Sequence, residues 1–565
     1  MSGKFLGAGW ALVGASVASL ALAGCGKHEP RVARPYCPPG KVCIEYGNSI
    51  DPSTLDPQTM TLVQEATIAR ATFEGLYQDD QQGKAVLGLA TSAETSADGL
   101  TWTFHLRPAK WSDGQPVTAH DFVFAYRRIV QPATASAYAY LFYILKNGQA
   151  LNGPHGPAPE TLGAEAPDDH TLVLHLIHPA PYLPQLLKHQ AFYPVPEHVI
   201  RKWGDAWTRP EHIVSNGPFQ VTAFRLADYV RVEKNPYYYE ADKVCADRVD
   251  FLPLSEAVSA ERRVKRGELD VNDTVQSGRI PFLRQPGQMP RFVHTHTYLS
   301  TSYVIFNTHV PALAMREVRQ ALSMTIDRDF ITAKLMRAGQ IPAYSFVPPG
   351  MSGYVGEDQR PKPYWYPMSF AQRQAEARRL LAQAGYGPGH PLKLEMKASN
   401  TTDTVLIAQA MQADWATVGI DVKFRQEEGQ ISFQDYNTRD FQVGLASWIL
   451  DYDDPLTFLA LMRSDTGAQN YGDYRNPAYD ALLDQADHEA DGGRRAQILA
   501  KAEKMIIDDA DIATVYYGVN RNLVNPNVTG WSDNFGDIHP AKYLCMPPTR
   551  GAASGRATAP QSQPQ

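Results

Sequence analysis

The densest group of chemistry-bearing side chains in the sequence is Asp451-Tyr452-Asp453-Asp454. Carboxylates at this spacing suggest the opening of a calcium loop, but Pro455 and Leu456 stand where such a loop needs an oxygen ligand and a glycine. The second half reads instead as a helix start: Asp454 is the cap, Pro455 the first residue, and Leu456, Phe458, Leu459 and Leu461 the apolar face. Asp453 then faces the helix dipole. Asp451 is different. It follows the strand-like apolar run Leu445-Ala446-Ser447-Trp448-Ile449-Leu450, so its carboxylate stands at the edge of a buried surface with no cation nearby in sequence. A desolvated carboxylate is costly unless paired. Either a distant Arg or Lys pairs with it, or a cationic group on a ligand does.

Other chemistries leave no pattern. The sequence has no Gly-x-Ser-x-Gly, His-Glu-x-x-His, Gly-x-x-x-x-Gly-Lys-Ser/Thr or Gly-x-Gly-x-x-Gly motif. Its 16 histidines are scattered singly, and His105 and His120 fall inside a strand pattern and a helix start, where a structural role is expected. The expectation is therefore no enzyme, no metal site and no cofactor. With 53 basic against 60 acidic residues there is no cationic footprint for a phosphate backbone, so nucleic acid is not an expected partner. A chain of 565 residues, 44% hydrophobic, is long enough to bury large cores in two or three domains.

The five cysteines carry a second kind of chemistry. Lys4 precedes an uncharged, largely apolar run from Phe5 to Ala23 that closes with Leu22-Ala23-Gly24-Cys25. This reads as a secretory signal ending in a lipobox, with residues 1–24 removed and Cys25 carrying a lipid that tethers the protein to a membrane. An uncleaved anchor helix is the alternative. Residues 25–43 are polar and Pro-rich and read as a tether, and residues 547–565 as a disordered tail. Outside the cytoplasm the remaining even number of cysteines permits disulfides, and Cys37 and Cys43, bracketing Pro-Pro-Gly-Lys-Val, are the expected pair. Cys245 with Cys545 follows only by arithmetic.

The elements that position these groups alternate between strand and helix without a repeat, which indicates an α/β fold. Thr101 to Arg107 alternates at period two, as a half-buried strand does. Thr118 with Asp121 opens a helix carrying Phe122, Val123, Tyr126, Ile129 and Val130 on one face. Ser369 to Ala384 is a second amphipathic helix, closed by Gly385.

Longer motifs carry a resemblance. Leu55-Asp56-Pro57, Phe73-Glu74-Gly75-Leu76, Trp102-Thr103-Phe104-His105-Leu106-Arg107, the block Trp111 to Phe122, Asn216-Gly217-Pro218-Phe219, Val318-Arg319-Gln320-Ala321-Leu322, Ile326-Asp327-Arg328 and Trp448-Ile449-Leu450-Asp451-Tyr452 span nearly the whole mature chain. In these the sequence resembles the oligopeptide/dipeptide/nickel solute-binding proteins of ABC importers. The resemblance implies an extracytoplasmic, monomeric receptor with a two-lobed periplasmic-binding-protein-like fold that closes by a hinge and delivers its ligand to a permease and ATPase complex. Lobe I is expected at 44–73, 193–299 and 519–546, an extra domain at 74–192, and lobe II at 300–518. A short peptide is expected to lie extended between strands Thr61 to Val63 and Ser447 to Ile449, its α-ammonium on Asp451. Tyr138, Trp448 and Tyr516 either line that site or pack in the core.

The departures from the family are also specific. Some relatives have a cysteine pair where this sequence has Ser300 and Ile449, and cations for a peptide's terminal carboxylate where it has Met336, Asp403 and Leu445. Arg439 and Arg337 are the candidates to replace those cations. Other cargo remains open, namely a murein peptide, a nickel chelate, haem or a glycoside, as does a secreted hydrolase or chaperone-like protein on the same scaffold.

Overall fold

The computed structural model describes residues 37–548 except 181 and 490. The expected lipidation site Cys25, the signal segment, most of the tether and most of the tail lie outside the described residues. Within them the fold is mixed α/β, with an 11-stranded sheet, a 4-stranded sheet and two short two-stranded ribbons.

The large sheet explains the two lobes. Strand Cys43–Gly47 lies between Arg248–Leu252 and Val271–Asn272, parallel to both. Leu392–Ser399 lies between Ile420–Glu427 and Val443–Ile449 and is likewise parallel to both. These parallel strands, largely buried in the first set and alternating toward the edge strand Ile420–Glu427 in the second, form the centres of two separate α/β layers. Between them run two long strands, Val293–Phe306 and Ile512–Val524, which pair antiparallel with each other and reach into both layers.

The expected lobe boundaries at 299/300 and 518/519 fall inside these two strands. Their register shifts between Thr297 and Thr301, and again between Ser302 and Tyr303. Opposite this irregularity is Gly518, where an added Cβ would stand 1.9 Å from Ser300 Oγ. The absence of a side chain lets the two strands approach at the point where they pass from one lobe to the other.

The local expectations hold in this frame. The alternating segment forms strand Thr101–Leu106 in the 4-stranded antiparallel sheet. The helix after it runs Ala119–Ile129, and Asp121 accepts from the Thr118 N–H at 2.8 Å. Helix Phe370–Gln383 is capped by Ser369. Arg328 of the Ile-Asp-Arg motif is wholly buried, donating to the carbonyls of Ala343, Thr514 and Ser323 at 2.8–2.9 Å, and burial lowers its pKa to about 10. Cys37 is bonded to Cys43, and Cys245 to Cys545. No helix among the described residues is long and apolar enough to cross a membrane.

Candidate functional site

A cavity of about 300 Å³ lies where the lobes and the segment between them meet. Val443–Ile449 forms its longest wall. One edge of this strand pairs with Val293–Phe306, placing Ser300 opposite Ile449, Thr301 opposite Trp448 and Ser302 opposite Ser447. The Ser300/Ile449 positions singled out in the sequence are thus direct cross-strand neighbours. The other edge pairs with Leu392–Ser399 only at Val443 and Gly444. From Leu445 to Ile449 that edge has no strand beside it among the described residues, and these residues line the cavity.

Asp451 follows directly. Its N–H donates to Thr457 Oγ1 at 2.8 Å; the short helix Leu456–Leu459 starts one residue later than expected, with Pro455 at its cap position, and Asp454 accepts from the Leu456 N–H at 3.0 Å while Arg495 grips both its oxygens. Asp453 does not serve the helix dipole: it turns away to accept from the N–H and hydroxyl of Ser352 at 3.1 and 2.7 Å. The Asp451 side chain is 10% exposed and has no lysine or arginine within ion-pair distance among the described residues. Its Oδ1 stands 3.4 Å from the Tyr138 hydroxyl and 3.4 Å from His189 Nε2, and its Oδ2 has no partner.

Both neighbours turn a donor toward Asp451. Burial first, and the charge of Asp451 second, push the Tyr138 hydroxyl far above its ordinary range, so it keeps its proton. His189 Nδ1 accepts from the Ala191 N–H at 3.3 Å, which leaves Nε2 as the protonated nitrogen facing Asp451. A buried carboxylate with two long contacts and one bare oxygen is incompletely satisfied. The alternative left open by the sequence, a distant Arg or Lys, is not what the structure shows. His189 was not visible beforehand as a site residue because it is one of many single histidines, and only the fold brings it to Asp451.

The opposite wall corrects a second expectation. Thr61 to Val63 is not a strand: Leu62 is extended, and Val63 begins helix Val63–Thr72. The reason is Glu65, wholly buried, whose carboxylate accepts from the N–H groups of Thr61 and Leu62 at 2.9 and 3.1 Å and from the N–H and hydroxyl of Ser53. Its oxygens take the place of a ladder partner and hold the segment along the cavity. Tyr138, Trp448 and Tyr516 all line the cavity, and Tyr138 and Trp448 are also buried.

Neither proposed arginine reaches the site. Arg439 ends helix Gly429–Thr438 with a left-handed backbone and points at Asp473 (3.2 Å) and the Asn470 carbonyl. Arg337 is exposed. Neither lines the cavity, whose only charged side chains among the described residues are Asp451 and Arg70, beside His189 and the tyrosines Tyr138, Tyr436, Tyr471 and Tyr516. Arg70 is tied to Asp79 at 3.3 Å, which Lys188 also meets at 2.6 Å.

Comparison with known proteins agrees with this architecture. Residues 84–470 match the model for bacterial extracellular solute-binding proteins, family 5. The periplasmic oligopeptide-binding protein of Salmonella typhimurium is 35% identical over 496 residues, covering 87% of this chain and 90% of that protein. A crystal structure of the Haemophilus influenzae oligopeptide-binding protein in complex with RPPGFSPFR superposes with a TM-score of 0.85 at 32% identity, covering 90% and 99% of the two chains. The murein tripeptide binding protein of Escherichia coli matches at 0.85 in one structure, at 34% identity and covering 90% and 98%. In an unliganded open form the murein tripeptide binding protein matches at only 0.62, covering 90% and 97%.

The wall formed by Glu65 is testable. Glu65→Gln leaves a single carbonyl where two oxygens served four donors, and each donor left without an acceptor costs about 1–3 kcal/mol. Denaturant unfolding is expected to show that loss. Limited proteolysis is expected to find a new cut near Thr61, and an uncut variant of wild-type stability would contradict the role given to Glu65.

Proposed function

Because the chain belongs to the bacterial extracellular solute-binding proteins of family 5, a transport family, we propose that its solute is a short peptide held by its free α-amine. One observation carries this reading: the bare oxygen of Asp451 stands at the end of an unpartnered strand edge. An extended peptide laid along Leu445 to Ile449 would complete the sheet with main-chain hydrogen bonds, which provide affinity without reading side-chain identity. Its ammonium would meet Asp451, with Tyr138 and His189 holding that carboxylate in place.

The proposed route is delivery to an ABC permease and ATPase complex by a monomer tethered to the membrane through Cys25. The relatives named above include both oligopeptide and murein tripeptide binders, and a murein peptide with a free amine is a second cargo consistent with the same site. Among the described residues no corresponding feature favours nickel, haem or a glycoside.

Binding is proposed to accompany closure about the two long strands, with the present arrangement the closed one. The support is the fall in similarity from 0.85 to 0.62 between two structures of the murein tripeptide binding protein, the lower value belonging to its unliganded open form. Contacts already cross the gap: Gln430 Nε2 donates to the Asp51 carbonyl at 2.5 Å, and Gln149 Nε2 to Asp465 Oδ2 at 2.7 Å.

Three outcomes are expected. Removing one partner of a buried ion pair costs about 3–5 kcal/mol, so N-acetylation of the peptide, or Asp451→Asn, is expected to weaken binding by roughly two to four orders of magnitude in calorimetry. Equal binding of the free and acetylated peptide by the wild type would refute the assignment. Small-angle scattering is expected to show a smaller radius of gyration on saturation, and an unchanged radius would count against closure. Labelling cells with a radioactive fatty acid is expected to mark the wild type and not Cys25→Ser, and an unlabelled wild type would remove the lipid anchor from the account.

A further inference from the structure

The end of the cavity away from Asp451 is built unlike the Asp451 end. Leu445 lies six residues before Asp451, roughly 20 Å along an extended chain. The parallel pairing of Met396 with Val443 and Lys397 with Gly444 brings Ser399 level with Ala446. Helix Thr402–Ala416 begins just beyond. The resulting wall is apolar and hydroxylic: Ile407, Phe433 and Leu445 with Ser399, Thr404 and Ser432. Ser432 Oγ is buried and has no hydrogen-bond partner.

The cations behind this wall are already engaged. Lys397 Nζ meets Asp435, Asp440 and Glu427 at 2.6, 3.3 and 3.8 Å. Arg521 meets Asp403 at 3.5 Å and donates to the carbonyls of Val275 and Val519. Glu427 is also met by Arg425 at 3.3 Å, and Arg425 meets Glu395 at 3.9 Å, so three cations face five carboxylates, and Asp403 itself sits between Thr401 and Thr404 of the lining. A carboxylate brought here would lose its hydration, find no free cation among the described residues and be repelled by the local charge. A neutral group would keep its hydrogen bonding, since Ser432 can both donate and accept.

We propose that this distal wall selects ligands whose far end is uncharged, an apolar body ending in at most a neutral group such as a carboxamide, and that it rejects a free terminal carboxylate. The proposal rests on the reading of Asp451 as the amine site. It differs from the simpler possibility that the far end is open to solvent, which would leave affinity indifferent to the terminus.

Calorimetry with Ala-Ala-Phe, its C-terminal amide and the N-acetylated amide tests it. The amide is expected to bind more than threefold tighter than the free acid. Equal binding, or tighter binding of the acid, would overturn the proposal. If Arg70→Ala then removes an observed preference for the acid, the carboxylate sits on the other lobe. Leu445→Arg is expected to reverse the order in favour of the acid, and failure to reverse it counts against the wall as the selecting element. Thr404→Arg serves the same purpose if thermal unfolding shows that the Leu445 variant does not fold. Insensitivity to acetylation fells the Asp451 reading while leaving the acid-to-amide ratio to judge the wall. Failure of all three peptides to bind overturns the peptide reading. The pair 6-aminohexanamide and 6-aminohexanoate then decides the wall by the same ratio, and binding of neither overturns it as well.

Discussion

The antiparallel ladder between Val293–Phe306 and Ile512–Val524 is the constraint from which the rest of the structure follows. Both strands belong to both lobes, so the backbone groups of two otherwise separate parallel layers are satisfied in one continuous sheet. A sheet shared in this way fixes the strand order on each side. It also concentrates irregularity where it passes between lobes, at Thr297 to Tyr303 opposite Gly518. The wall of the cavity hangs directly from it, because Val443–Ile449 takes its register from Ser300 to Phe306.

Among the described residues, that register leaves one strand edge unfilled beside a carboxylate that no lysine or arginine meets. The two facts are physically linked. An open backbone edge in a water-filled cleft is cheaply solvated, but a buried one needs a partner, and the same desolvation makes a lone carboxylate seek a cation. The neighbours chosen for Asp451 are a tyrosine held neutral by burial and a histidine whose tautomer is set by the Ala191 N–H. Both orient the carboxylate, and Tyr138 does so without cancelling its charge. The Asp454–Arg495 pair a few residues on shows the alternative, a carboxylate fully closed by a bidentate arginine and so useful only for architecture.

At the far end of the cavity the charge pattern has the opposite character. Each nearby cation is held by one or more carboxylates, and the lining itself presents hydroxyls and apolar groups. The cavity is therefore polarised by what is left unpaired rather than by how many charges surround it.

The sequence by itself determined much of this. Periodicity and capping patterns located strand Thr101–Leu106 and helices Ala119–Ile129 and Phe370–Gln383, because those signals are local. Asp451 was legible as an unusual carboxylate, since an apolar run ending in an acid implies burial regardless of fold. The Cys37–Cys43 pairing was legible from its short spacing. What the sequence left undecided depended on contacts across long separations: His189 reaching Asp451, Asp453 turning to Ser352, and Arg439 drawn to Asp473 away from the cavity. The extended segment at Thr61 shows the same limit on a small scale. Its conformation comes from a buried glutamate whose bonds to Ser53 no local pattern announces. Local propensity is written along the chain, but the partner of a charge is chosen only when packing decides which distant groups share a desolvated space.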